Sequence, residues 1–561
     1  MEDAVEAFLT NARIITADAE ETIADALAVR DGRICFVGRA EDYSPDPSML
    51  RIDLAGRTVL PGLIDAHTHP TMVARSAWHV ALPDTDDLDE ILGFVRDYAR
   101  THSPDDAPFL YFEYYPSTLF DEHGPTRQML DAVVSDRPVL LQDFSDHAHW
   151  VNSRMIELLG VTRDTPDPVP GLEMFVRDDD GEPTGYILEM AYEHFIDRMY
   201  DAIGWRPPAV SADAMASVLD RMSANGVTSL FEALIEDEQA LAAVSTLDRD
   251  GRLTMTYEGA PRFRTRADLD AAIATARRLD STYGSDRIRI RTLKLFLDGT
   301  NESGNSAVLA PFDNDPGGAD LGEIQMDAEE LTQCLLTMNR EVIDLHIHMV
   351  GDRAFRVACD AVEHAQALCR EQGEAWNMRV TFAHCELIDP ADMSRPATLG
   401  VIVNWTTHWS GGYFGEEGRS YLGERWNRMY DFTEIADSGA TLAFSSDVVS
   451  MNELHRANPF FGMQVAATRA DPDVPLNPAR YPGSVRPSER ARLSVARLIR
   501  GHTRDAAVQL RREERSGSLE VGKDASLVVL SDDPFAVPPE QLSRVHPVAV
   551  MFEGRVVAGA L

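Results

Sequence analysis

Lysine is almost absent from this chain. Of its 52 basic residues only Lys294 and Lys523 are lysines, and 92 acidic residues leave a formal net charge of −40 over 561 residues. So acidic a chain lacks the basic face that a phosphate backbone needs to shed its counterions, which argues against a nucleic-acid partner. The carboxylate surplus reads instead as a heavily solvated surface, and the arginine bias suits a GC-rich genome or a salt-loaded cytoplasm. Cysteine is sparse too: Cys35, Cys334, Cys359, Cys369 and Cys385 are scattered without a CxxC pair, the pattern of reduced thiols in a cytoplasm. No stretch approaches the ~18 consecutive apolar residues of a membrane span. The opening MEDAVEAFLTNA carries acids where an export signal would carry a basic segment. A cytoplasmic protein without a membrane partner is the expectation. With 44 % hydrophobic and 26 % charged residues, wholesale disorder is excluded and the chain can bury a large core.

Both ends of the chain read as β-structure. ALAVRDGRICFVG is strand, Asp-Gly turn, strand, and GSLEVGKDASLVVLSDDP with VAVMFEGRVVAG repeats short Val/Leu runs broken by Gly. The spacing predicts a small composite β-sandwich from residues 1–58 and 505–561. Between them, apolar runs alternate with amphipathic helical stretches such as DAMASVLDRMSANG and ADLDAAIATARRLD, the signature of βα units around a parallel sheet. Six apolar runs end abruptly in a chemically capable residue: VLPGLIDAHTH, RTLKLFLDG, VIDLHIHMVGD, RVTFAHCE, VIVNWTTHW and ATLAFSSD. Strand ends of that kind carry the site in a (β/α)8 barrel, so residues 59–504 read as such an α/β barrel. Excess length between the early and middle runs implies insertions, placed at about 75–210, that cap the mouth. Pro- and Asp-rich stretches at 101–108, 163–170 and 311–320 read as loops.

His67 and His69, at i and i+2, can present both imidazoles to one metal. His348 and His384 end two later runs. His346 shares a strand face with His348, and spacing alone does not choose between them. Lys294 stands among Leu293, Leu295, Phe296 and Leu297, where an ammonium would be buried at considerable cost. It is therefore neutral, or carboxylated by carbon dioxide into an anionic ligand able to bridge two metals, or paired with a nearby acid such as Asp298, a pairing that an arginine-dominated chain would more naturally give to Arg. Asp447 offers a carboxylate that can ligate metal and shuttle a proton, or simply cap the next helix. Aromatic residues cluster at Tyr111, Phe112, Tyr114 and Tyr115, and at Trp405, Trp409, Tyr413 and Phe414. They suit an apolar or aromatic small-molecule substrate, or ordinary core.

Taken in order, PGLIDAHTHP, DHAHWVNS, GVTSLFEA, KLFLDGT, HMVGDRA, FAHCELI, SSD and GSLEVGKDASLVVL resemble the amidohydrolase superfamily, in its YtcJ-like branch with the N-substituted formamide deformylases. The resemblance implies a (β/α)8 barrel with a composite β-sandwich and a centre of two divalent metal ions, zinc before manganese or iron. Its ligands would be His67, His69, carboxylated Lys294, His348, His384 and Asp447, with His348 preferred to His346. The implied reaction is hydrolysis of a C–N bond in an amide, N-formyl or cyclic amide through a metal-bound hydroxide. Asp447 would be the general base and acid, His147 would contact substrate, and the second metal or His147 would polarise the carbonyl. Glu189, Asp298 and Arg353 lie in matched motifs as further substrate contacts or as supports behind the site. Asp146 departs from the family pattern, which has glycine there. An isomerisation, dehydration or decarboxylation at the same centre is the rival chemistry, and a binding protein with purely structural metal a third reading. A homodimer is the base-rate expectation.

Overall fold

Each of the six apolar runs becomes a parallel β-strand in the computed structural model, which describes residues 5–116, 119–120, 123–315, 317–411, 418–473 and 491–561. Numbering only the strands of this central core, they are β1 (Leu63–Thr68), β4 (Thr292–Phe296), β5 (Asp344–Met349), β6 (Val380–His384), β7 (Ile402–Thr406) and β8 (Thr441–Ser445). Two more, β2 (Val227–Ile235) and β3 (Thr256–Pro261), complete the set. Every residue of β1, β2, β3, β5, β6 and β7 is buried, as expected where helices cover a parallel sheet.

Helices follow the strands in alternation. Ala212–Ala224 precedes β2 and is capped by Ser211, whose hydroxyl accepts from the Ala214 N–H. Leu269–Tyr283 precedes β4 and is introduced by a Thr265/Asp268 capping box. Asp352–Gln372 joins β5 to β6 and stops at Gly373, whose φ of +71° is the left-handed C-terminal turn that glycine adopts without strain. Strands and helices together make a TIM-barrel-like α/β core.

The hydrogen-bonded ladder is not continuous around the core among the described residues. It forms two parallel sheets, one with β1, β2, β3 and the stub Ile288–Arg289, the other running from β4 to β8. The expected closed barrel is thus corrected at two seams, and each has a local cause. The stub occupies the edge of β3 through Tyr257 and Glu258, so β4 meets β3 only beyond its end, where the Phe263 N–H donates to Lys294 O at 3.0 Å. Between β8 and β1, the Asp65 carboxylate takes the Ser446 N–H (2.9 Å) that a ladder would have used, and the Ser446 hydroxyl as well (2.5 Å). Past that point Asp447 N–H donates to His67 O at 2.8 Å. Both seams lie against the residues expected to hold metal.

A six-stranded sheet includes Thr58–Pro61 between Arg13–Ile15 and Leu527–Leu530, so segments far apart in the chain share one sheet. A four-stranded sheet holds Ala7–Thr10, Leu50–Asp53 and the hairpin Ala26–Arg30/Arg33–Gly38. The hairpin turns at Asp31 (φ +51°) and Gly32 (φ +74°), the positive pair that an Asp-Gly turn supplies. Leu9, Ile14 and Leu27 pack with Leu527, Val529 and Met551 in one apolar cluster. Between β1 and β2 lies a separate six-stranded mixed sheet, from Val80–Ala81 to Pro183–Leu188. No helix among the described residues is long and apolar enough to cross a membrane.

Candidate metal centre

The strand ends converge on a pocket of about 50 Å3 lined by His67, His69, Lys294, His348, His384 and Asp447. Asp447 is its hub. Its Oδ1 lies 3.3 Å from His67 Nε2 and 3.1 Å from His69 Nε2, and its Oδ2 lies 3.4 Å from His384 Nδ1. His67, His384 and Asp447 each offer a ligand atom within 4.8 Å of the other two, close enough to share one ion. His69 Nδ1 and His384 Nδ1 are buried without a hydrogen-bond partner. Burial, then the neighbouring cationic groups, pushes His67, His348 and His384 well below the usual histidine range, which leaves their lone pairs free for a cation. The donor set therefore fits a divalent metal ion.

The backbone bends to achieve this. His384, Cys385 and Asp447 have φ of +68°, +48° and +49°, a left-handed conformation that costs a non-glycine residue roughly 1–2 kcal/mol. Strain gathered at the ends of β6 and β8 turns those side chains inward. His348 lines the pocket with its ring 4.6 Å from that of His384, and its Nε2 is 3.3 Å from Gly299 O. His346 sits beneath. Its Nε2 is 2.9 Å from His67 Nδ1, so it orients His67 from behind rather than lining the pocket.

Lys294 is 1 % exposed, and among the described residues no carboxylate lies within ion-pair distance of its ammonium. Burial, only partly offset by the Asp447 charge, pulls it down to about 7. The Asp298 pairing is not formed. Asp298 Oδ1 accepts from Val350 N–H, and its Oδ2 accepts from the N–H groups of Ala307 and Gly351, each at 2.9 Å. Arg353 is likewise committed to backbone, donating to the carbonyls of Leu321 (3.0 Å) and Gly322 (2.7 Å). Neither lines the pocket; both tie loops together.

His147 does line it, delivered by the inserted sheet. Ala148 pairs with Leu188 across antiparallel strands, which sets His147 beside Glu189, with Nδ1 and Oε2 at 2.6 Å. Burial works against its protonation, but the Glu189 carboxylate wins and holds His147 up at about 9. Glu189 therefore acts through His147. Asp146 has φ +63°, so the backbone keeps the left-handed turn glycine would allow, a conformation Asp tolerates better than most residues.

Of the aromatic candidates, Trp409 lines the pocket and stacks on His384 with centroids 5.2 Å apart. Tyr111 reaches an adjoining cavity, whereas Phe112, Tyr115 and Trp405 are core. Tyr413 and Phe414 lie outside the described residues. Sequence reasoning misses Asp65 and Glu232. The second is fully buried on β2, its Oε2 accepting from the Thr71 N–H (3.2 Å), the Thr71 hydroxyl (2.7 Å) and the Tyr257 hydroxyl (2.7 Å) just after His69. A lone acid inside an otherwise uncharged strand is the signal that could have found it.

This geometry, with imidazoles and a carboxylate at the strand ends of a TIM-barrel-like core, defines an α/β protein built around a metal-binding mouth. The chain belongs to the amidohydrolase family, whose sequence profile matches residues 51–558. It is 25 % identical over 557 residues to an N-substituted formamide deformylase of Arthrobacter pascens, covering 97 % of each chain. It is also 25 % identical over 549 residues to the putative amidohydrolase YtcJ of Bacillus subtilis, covering 95 % of this chain and 96 % of that one. Among solved structures, an uncharacterized metal-dependent hydrolase from Pyrococcus horikoshii superposes with a TM-score of 0.67 at 20 % identity, over 95 % of this chain and 98 % of the other.

Proposed function

We propose that this chain is a metal-dependent hydrolase cleaving a C–N bond in a small amide, N-formyl or cyclic amide substrate. The observation that carries the reading is the Asp447 carboxylate set among three imidazole nitrogens, beside a buried lysine with no ion-pair partner among the described residues. His67, His69, Lys294, His348, His384 and Asp447 would hold two divalent ions, which when bound supply Lewis-acid activation of water and of the substrate carbonyl. A lysine amine near neutrality adds carbon dioxide, releases a proton and becomes an anionic oxygen ligand; that is the role assigned to Lys294.

The chain's own groups then handle protons and charge. Asp447 accepts the proton of the attacking water and passes it to the leaving nitrogen. His147, kept protonated by Glu189, donates to the carbonyl oxygen as negative charge builds there. His346 and Glu232 keep ligands and backbone in register from behind. Similarity to a formamide deformylase supports a C–N bond over other hydrolysable bonds.

The test is hydrolysis of a panel of N-formyl, N-acyl and cyclic amides in labelled water, with metal content per chain measured alongside. The expected result is one label in the acid product and about two metals per chain. Asp447→Asn should lose at least about 10²-fold in turnover while keeping its circular dichroism spectrum. Turnover without label in the product would move the reading to non-hydrolytic chemistry.

A further inference from the structure

The metal pocket does not end at the metal ligands. Met72, Asp146, Met190 and Val449 line it and also line a second cavity of about 380 Å3 that extends beneath the inserted sheet. A substrate reaching the metals has this cavity beside it, and Asp146 stands at the junction.

Two groups there lack what they would ordinarily hold. Asp146 accepts one hydrogen bond, from the Gln142 amide, and no Lys, Arg or His side chain pairs with it among the described residues. His149, 2 % exposed and lining the cavity, has an Nδ1 without a hydrogen-bond partner. Its ring bonds to the Glu189 backbone, which leaves Nδ1 as the nitrogen bearing a lone pair. A carboxylate and a buried histidine with one unpartnered ring nitrogen thus line the same cavity.

Carboxylates outnumber cations around this cavity. Glu113, Glu193 and Asp237 also line the cavity, against Arg75 and Arg206. Arg206 is already engaged with Asp197 (2.5 Å) and Asp201 (2.7 Å). Arg75 faces Glu193, Glu236 and Asp237 together. Glu113 is satisfied by His79 (2.6 Å), Ser450 (2.5 Å) and Asn452 (2.7 Å), so Asp146 is the carboxylate left for a ligand at the junction.

We propose that this cavity is a subsite for a protonated amine: the substrate carries, besides its scissile C–N bond, an ammonium group that donates to Asp146 and to His149 Nδ1. The proposal rests on the hydrolytic reading and narrows its substrate class to cationic amides. Such charge-assisted hydrogen bonds in a desolvated site discriminate strongly against a neutral isostere.

The experiment compares N-formylhexamethylenediamine with N-formylheptylamine, equal in length and differing in a terminal ammonium against a methyl, on the zinc-reconstituted protein. The expected kcat/KM favours the ammonium member by about tenfold or more. Asp146→Asn and Asp146→Gly both tolerate the left-handed backbone, so each should fold, and each should bring the ratio close to one. Equal rates in the unaltered protein, or a preference that survives both substitutions, would overturn the proposal. Calorimetry with hexylammonium chloride and hexanol separates the two readings. Binding of hexylammonium alone, lost in Asp146→Asn, upholds the subsite even where neither formamide is hydrolysed and the hydrolytic reading fails. No preference for hexylammonium over hexanol counts against the subsite whatever the formamides do.

Discussion

Lys294 shows how one residue condenses the chemistry of the site. An arginine in its place would keep the charge and lose the reactive amine, because a guanidinium stays protonated at any accessible pH. Lys294→Arg is therefore expected to drop metal content below that of the unaltered chain and to abolish the extra mass of one carbon dioxide seen by gentle intact-mass measurement. Undiminished metal binding in that variant would reduce Lys294 to a structural cation. The candidate ligands are legible in the sequence, because His67, His69, His348, His384 and Asp447 fall at the polar ends of apolar runs and Lys294 is a lone charge inside one. The groups that orient them are not. His346 and His348 share a strand face that spacing cannot divide; the resemblance prefers His348, and the packing shows why, since His346 touches His67 while His348 opens to the pocket. Glu232 and Asp65 act through partners far away in the chain, Tyr257 and Ser446 among them, and no local pattern announces such pairs.

At the scale of elements, the loops after β4 and β5 are pinned by a single side chain. Asp298 collects three backbone N–H groups from both loops, and bonds to a charged acceptor are worth about 1.5–3 kcal/mol each. Asp298→Ala is expected to cost about 3 kcal/mol or more, read as a lower denaturation midpoint, and to raise amide exchange at Ala307, Val350 and Gly351. A second clip joins the helix Val495–Gly501 to β1. Ile64 N–H donates to His502 O at 2.7 Å, and His502 Nδ1 lies 3.2 Å from Ile64 O. Burial holds His502 down at about 4, so below pH ~6.5 the unfolded chain takes up a proton that the folded one refuses. The stability this represents is present above that pH and is lost as pH falls toward 4. It amounts to about 3 kcal/mol, and His502→Gln should flatten that part of the stability–pH curve measured by denaturant titration. The strands are legible as short apolar runs with polar ends, and the long helices by their period and caps. The seams between the two parallel sheets are not, since they depend on whether Asp65 or a neighbouring strand captures the Ser446 N–H.

Across the molecule as a whole, the excess of acids, 92 against 52 bases, outweighs every local charge pair. Many arginines commit their charge locally to exposed pairs, such as Arg206 with Asp197 and Asp201 or Arg278 with Glu238. Pairs of that kind are worth about 0–1 kcal/mol each and weaken as salt is added. The remaining −40 repels itself across the whole surface, and added salt relieves that repulsion within a Debye length of roughly 10 Å at 0.1 M and 3 Å at 1 M. The two effects oppose each other, and the unpaired surplus is the larger. The denaturation midpoint is therefore expected to rise with potassium chloride from low to molar concentration, steeply at first and then levelling once nearest neighbours are screened. Sucrose at matched osmolality separates screening from exclusion, since it leaves the charges unscreened. A midpoint that falls with salt would mean that the arginine pairs, rather than the surplus carboxylates, govern how this surface holds together.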